Sequence, residues 1–195
     1  MKKLIPIAII VVIALAIGSW LQGSYNTIIT LDETVTEQWA KVESQYQRRL
    51  DLIPNLVSTV KGYADFEQET LTKVIEARAG ATQVKIDPSN ITPEQLQSFQ
   101  SSQNNLSGAL SRLLLVVERY PDLKANKNFL ELQAQLEGTE NRITVARNDF
   151  NAAAKDYNSH IRKFPTTVIA NMFGFDTKAY FTAEEGSEKA PKVEF

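Results

Sequence analysis

The chain has 195 residues, 43% of them hydrophobic, and a formal net charge of -2 with acids and bases interspersed. That length supports one packed core, and the mixed charges offer no basic face for nucleic acid. With no cysteine and a single histidine, His160, disulfide frameworks, thiolate metal sites and cysteine nucleophiles are excluded, and a triad or His-rich metal site would hang on one imidazole.

The first element is apolar. After "MKK", the stretch from Leu4 to Leu21 carries no charged residue, and roughly 18 such residues are near the lower limit for crossing a bilayer core of about 30 Å. A cleaved signal peptide could use "Ala14-Leu15-Ala16" or "Ala16-Ile17-Gly18". The apolar run continues past both sites to Trp20, which suits an interfacial belt, so an uncleaved anchor over residues 1–23 is the favoured reading. With no cysteine after it, a lipoprotein is excluded. Lys2 and Lys3 precede the span, while Asp32, Glu33 and Glu37 come before Lys41 on the other side. The positive-inside rule then puts the N-terminus in the cytoplasm and the body outside it.

Next comes Ile28, Leu31, Val35, Trp39, Val42, Tyr46, Leu50 and Ile53, at gaps of three and four only, which predicts a helix with one buried stripe. A second stripe follows Pro54: Val57, Val60, Ala64, Leu71, Val74 and Ile75, closing at Gly80. Pro54 fits the first turn of a new helix, with Asp51 as its cap, so "QRRLDLIPNLVSTVKGYA" reads as the corner between two core helices. The absence of glycine from "RRLDLIPN" also leaves a kinked continuous helix open there. "ATQVKIDPSNI" reads as a loop.

"Thr92-Pro93-Glu94-Gln95" then carries a complete helix start: a threonine cap, proline at the first helical position and glutamine three residues after the cap. Its stripe is Leu96, Phe99, Gln103, Leu106, Leu110, Leu113 and Val117, ended by Pro121. The last stripe runs Phe129, Leu132, Leu136, Thr139, Ile143, Ala146, Phe150, Ala153, Tyr157, Ile161 and Phe164, to Pro165. Gly62, Gly108 and Gly138 stand isolated in helical patterns, which points to close helix approach. The fold expected for residues 24–165 is all-α, an up-and-down antiparallel four-helix bundle behind an N-terminal transmembrane helix. Residues 166–195 form a tail, apolar and then polar and mobile.

The chain resembles the LemA family over nearly everything from Tyr25 to Phe181. The resemblance is carried by Tyr25-Asn26, Trp39, "QRRLDLIPNLV", "VKGYA", Ala77-Arg78, "ERYPDLKANKNFLELQ", "TENRITVARNDFN", Tyr157-Asn158, "KFP" and "IANMFGF". It implies a bacterial, membrane-anchored four-helix bundle with no biochemical activity assigned at family level. One departure follows "GYA": the family usually has a histidine there, whereas this chain reads Asp65-Phe66-Glu67, which weakens any idea of a ligand at that point.

Candidate sites are few. His160 reads as a core-edge residue with a backbone partner. Glu67, Glu69, Glu76, Glu118, Glu131, Glu137 and Glu140 read as exposed helix faces, because no Glu-x-x-His pair accompanies them as di-iron chemistry requires. Tyr63, Tyr120, Phe150 and Tyr157 read as core aromatics. Arg48, Arg49, Asp51, Arg78, Glu118, Glu140 and Arg147 stand beside stripe positions and are the candidates for interhelical ion pairs or, alternatively, an anion site. Met172, Phe173, Phe175, Tyr180 and Phe181 are candidates for tail interactions. A partner protein, the bundle itself or the membrane surface could cover them.

No catalytic residue, metal or cofactor is expected. The partners expected are the bilayer, through residues 4–21, and an unidentified protein or further copies of the chain. The function expected is a non-enzymatic scaffold of the bacterial cell membrane, single-pass, with an adaptor for membrane-associated proteolysis or envelope stress signalling as the alternative.

Overall fold

A computed structural model of the chain describes residues 4–62, 67–88 and 91–182, and every regular element among them is helical. The helices are α1 (Leu4–Lys61), α2 (Gln68–Gln83), α3 (Pro93–Val117), α4 (Pro121–Lys124), α5 (Lys127–Arg162) and α6 (Thr166–Phe173). The chain divides into two compact units. One takes Met1–Arg49, Pro88–Asn90 and Leu136–Lys178, the other Leu50–Asp87, Ile91–Gln135 and Ala179–Phe195. Tyr63, the Asp65-Phe66 departure and the polar end of the tail lie outside the described residues.

In the first unit, α1 opens with an apolar stretch whose side chains, from Ile9 to Ile13 and at Leu15 and Ile17, are more than half exposed. By length and composition it is a helix able to cross a membrane. From Ile28 the same helix becomes one-sided, with Ile28, Val35, Trp39, Val42 and Tyr46 buried as the 3-4 spacing predicts. Trp39 meets Phe150 of α5 edge to face, ring centroids 5.5 Å apart, a preferred aromatic geometry. Asp32 acts on Tyr157, Trp39 on Phe150 and Arg49 on Glu140. Numbers rise along α1 as they fall along α5, so the two helices run antiparallel.

Two expectations for the end of this unit change. Phe164, placed last on the α5 stripe, is 84% exposed, because α5 stops at Arg162. The tail also does not simply trail away: residues 166–173 form α6, which buries Ile169 and Ala170. Gly174, at φ 74°, ends it in the left-handed conformation that glycine adopts without a Cβ penalty.

In the second unit the expected corner at Pro54 is overturned. α1 runs through Pro54 to Lys61, so Asp51 lies inside a helix, exposed, and caps nothing. Val57 and Val60 belong to α1, and α2 starts only at Gln68. Proline inside a helix removes the N–H that would bond the carbonyl four residues back, here Leu50. The guanidinium of Arg78 on α2 fills that role, its Nε donating to the Leu50 carbonyl at 2.9 Å. A charged donor compensates part of what the ring takes away, since such bonds contribute about 1.5–3 kcal/mol. The bond also ties residue 50 of α1 to residue 78 of α2.

α2 passes Gly80 and continues to Gln83, shortening the expected loop, and Ile86 and Ile91 are buried beyond it. α3 begins as its sequence predicts: Thr92 Oγ1 accepts from Gln95 N at 3.3 Å and Gln95 Oε1 accepts from Thr92 N at 3.1 Å. Its whole predicted stripe, Leu96 to Val117, is buried. α3 ends at Val117, and Pro121 starts the short α4 instead of marking its stop.

The glycines do not mark close helix approach. A Cβ built at Gly108 or Gly138 meets nothing within 4 Å, and one at Gly62 meets only the Thr59 carbonyl at 3.4 Å.

The Pro54–Arg78 relation gives a double-mutant prediction. Arg78→Ala should destabilise the chain by about 2 kcal/mol, because the Leu50 carbonyl loses its donor. In a Pro54→Ala background, where residue 54 supplies its own N–H, the same change should cost less by about 1 kcal/mol or more. Chemical denaturation of the full chain in detergent reads both; equal costs in the two backgrounds would break the link.

Candidate functional site

Arg49, Glu140, Arg147 and Tyr46 form the first polar cluster, between α1 and α5 of one unit. The stripe turns Tyr46 and Arg49 inward, and Arg49 is only 3% exposed. Its Nη1 bonds Glu140 Oε2 at 2.9 Å, and its guanidinium lies 5.1 Å from the centre of the Tyr46 ring. Arg147 hydrogen-bonds the Tyr46 hydroxyl. Burial raises the Tyr46 pKa above the usual 10.0, although Arg147 and Arg49 pull against it. The hydroxyl is therefore neutral near pH 7 and receives hydrogen bonds there without acting as a base. Arg48, the preceding residue, is exposed, and of the two arginines it is Arg49 that pairs with a carboxylate among the described residues.

A second cluster in the same unit escaped the sequence reading. Asn158, buried near the end of α5, bonds both backbone groups of Lys178: its Nδ2 donates to the carbonyl and its Oδ1 accepts from the amide N–H, each at 2.8 Å. The Lys178 side chain reaches Asp32 Oδ1 at 2.7 Å and lies 5.5 Å from the Tyr157 ring centre. Burial, then Asp32 and Asp176, push the Tyr157 hydroxyl up to about 12. A tail lysine is thus held by side chain and backbone at once. The only sequence signal was that "YN" at Tyr157-Asn158 belongs to the resemblance.

The remaining candidates have other partners. Arg78 serves a backbone carbonyl, Glu118 pairs with Lys124, and Glu67 pairs with Arg119 Nη2 at 2.7 Å. In the second unit an open groove of about 230 Å³ runs between α2 and α3, lined by Thr70, Lys73, Ala77, Asn105, Ala109 and Arg112; its Lys73 is paired with Glu69.

His160 is half-buried, and its Nε2 has no hydrogen-bond partner among the described residues. Among those residues no three His, Asp or Glu side chains converge as a metal site. Of the tail candidates, Phe181 is buried and Phe175 half-buried, whereas Met172, Phe173 and Tyr180 are 63%, 55% and 42% exposed. Phe173 and Phe175 both touch Tyr25 of α1, at centroid distances of 4.9 and 5.6 Å.

These features define an all-helical protein whose leading helix is apolar and exposed and whose buried polar groups serve packing. The LemA family model matches residues 38–195, and the chain belongs to the LemA family. Among curated relatives, it is 29% identical over 174 residues to magnetosome protein MamQ 2 of Paramagnetospirillum magneticum, covering 80% of this chain and 64% of that one. The chain therefore spans just under two thirds of that relative. It is 27% identical to protein LemA of Metamycoplasma hominis, covering 84% of this chain and 71% of the relative. Identity to MamQ of Magnetospirillum gryphiswaldense is also 27%, over 90% of this chain and 71% of the relative.

Three variants test the clusters. Arg49→Ala should cost about 3 kcal/mol, since it removes a buried charge and a packed stem, but Glu140→Ala only about 1, because Glu140 is 56% exposed and water can replace it. Equal melting shifts for the two would contradict this asymmetry. Asn158→Ala should open the Lys178 segment by about 2 kcal/mol. Hydrogen exchange should rise over residues 175–182 while the core of α5 stays protected; unchanged exchange would show that the tail is held elsewhere.

Proposed function

We propose that this protein is a non-enzymatic, membrane-tethered helical scaffold. Its leading helix crosses the bilayer once over residues 4–21, and its remaining helices offer their outer faces to a partner protein or to further copies of the chain. The observation that carries the reading is the unbroken passage of one helix from an exposed apolar stretch, Ile9–Ile17, into the buried stripe beginning at Ile28. A helix continuous across that junction joins the bilayer to the folded body without a flexible linker. Membership of the LemA family and the likeness to magnetosome proteins support membrane association. The antiparallel run of α1 and α5 in the first unit supports the up-and-down four-helix closure, which belongs to the same proposal.

The site chemistry fits a scaffold better than a catalyst. Arg49, Glu140, Asp32 and Lys178 are engaged with one another or with nearby aromatic rings, and both buried tyrosines are held in their neutral form. Lys2 and Lys3 favour a cytoplasmic N-terminus and a body outside it.

The chain contains no cysteine, so one introduced at exposed Ser111 reports topology without background. The full chain should resist carbonate extraction from membranes, and the Ser111→Cys thiol should react with an impermeant maleimide in spheroplasts without lysis. Extraction by carbonate would overturn the membrane span, and labelling only after lysis would reverse the orientation. Crosslinking in native membranes should recover a reproducible neighbour or a self-adduct; recovery of neither would overturn the scaffold role.

A further inference from the structure

The apolar surface of α6 lies beside the point where the leading helix leaves its apolar stretch. Tyr25 stands four residues beyond Leu21 on the same helix, a rise of about 6 Å. If the hydrocarbon core ends near Leu21, that rise keeps Tyr25 inside the headgroup layer, which adds about 5–7 Å to each side of the bilayer. Tyrosine suits that depth. Phe173, at the end of α6, packs against the Tyr25 ring at 4.9 Å, and Phe175 at 5.6 Å. These contacts bring α6 to the level of the headgroups.

α6 is two-faced. Thr166, Ile169 and Ala170 are buried, whereas Val168, Met172 and Phe173 are 57%, 63% and 55% exposed and Phe164, just before the helix, is 84% exposed. Val168 and Met172, four residues apart within α6, share one face, and Phe164 is exposed just before its start. Two exposed cations, Arg162 and Lys163, immediately precede them. Apolar side chains flanked by cations suit an anionic lipid surface.

We infer that α6 lies in the membrane interface, with Phe164, Val168 and Met172 inserted at the level of the lipid headgroups and Arg162 and Lys163 set against anionic lipid. The inference rests on the membrane span proposed above. Alone, an eight-residue helix has too little apolar surface to hold a membrane. Here the span supplies the attachment and raises the effective concentration of lipid around α6, so a weak interaction suffices. The span and α6 then touch the bilayer at two points, which restricts tilting of this unit about the end of the span.

The test uses single cysteines carrying a nitroxide at Ile13, Met172 and Ser111, in the full chain reconstituted into vesicles of phosphatidylglycerol and phosphatidylcholine. Collision with oxygen and with a polar nickel chelate reports depth. The Ile13 label should read deep, the Ser111 label aqueous, and the Met172 label interfacial, with an oxygen-to-nickel ratio several-fold above that at Ser111. That ratio should fall in vesicles of phosphatidylcholine alone and in the Arg162→Gln/Lys163→Gln variant.

If Met172 reads as aqueous as Ser111 while Ile13 reads deep, the inference fails and the span stands. Should Ile13 read aqueous as well, the span itself fails. Shielding of Met172 from both reagents, with spin–spin broadening that grows with protein density, would overturn the lipid reading in favour of a second copy. A Val168→Asp/Met172→Asp pair gives an independent check. Both positions are exposed, so helicity and melting should persist while a label at Phe164→Cys moves to water; an unmoved label would count against insertion.

Discussion

The carbonyl of Leu50 is the point on which the path of the chain turns. Pro54 deprives it of its helical donor, and a proline in a helix interior ordinarily costs about 3 kcal/mol or more. Arg78 restores a donor from a neighbouring helix. With that bond in place α1 has no reason to stop, and Leu56, Val57 and Val60 continue the buried stripe of Tyr46, Leu50 and Ile53. α1 continues to Lys61, and the same bond ties its residue 50 to residue 78 of α2. One guanidinium thus both offsets the proline and joins α1 to the helix that follows.

The other buried charges behave in the same way. A charge removed from water is tolerated when it is paired. Arg49 meets Glu140 from α5 and the face of Tyr46; Lys178 meets Asp32 and the face of Tyr157. These interactions define position more than they add stability. Arg49 ties one helix pair together, and Lys178, gripped also by Asn158, decides where the chain runs after α6. The buried polar residues of this unit are occupied with the fold, while its exposed apolar residues lie on the leading helix, on α6 and at Phe164 and Val145.

Much of this was legible in the chain. The start of α3 and its stripe were readable because they depend on neighbours: Thr92, Pro93 and Gln95 form the cap among themselves, and the stripe from Leu96 to Val117 follows one period. The family resemblance was legible as well, from ordered phrases spread over the body. The corner at Pro54 was misread because proline at a helix start and proline rescued inside a helix look alike locally. A better clue was present: the spacing 46, 50, 53, 57, 60 keeps its phase across residue 54, as one continuous helix requires. Gly108 and Gly138 were misread in the opposite sense, since a small residue suggests a close neighbour and the structure shows open space.

The sequence alone determined that the protein is helical, that it begins with an apolar segment and that it belongs to its family, because helical period, caps and apolar runs are properties of residues a few positions apart. It also marked Arg49, Arg78 and Glu140 as uncommon neighbours of core positions. It could not assign them partners. Arg49 and Glu140 are 91 residues apart, and Arg78 and Leu50 are 28 apart, so only the folded chain could show that one arginine meets a carboxylate and the other a backbone carbonyl. Beyond the "YN" phrase that holds Asn158, nothing in the sequence joined Asn158 to Lys178, since a clasp between a helix end and the segment beyond it exists only once packing brings them together.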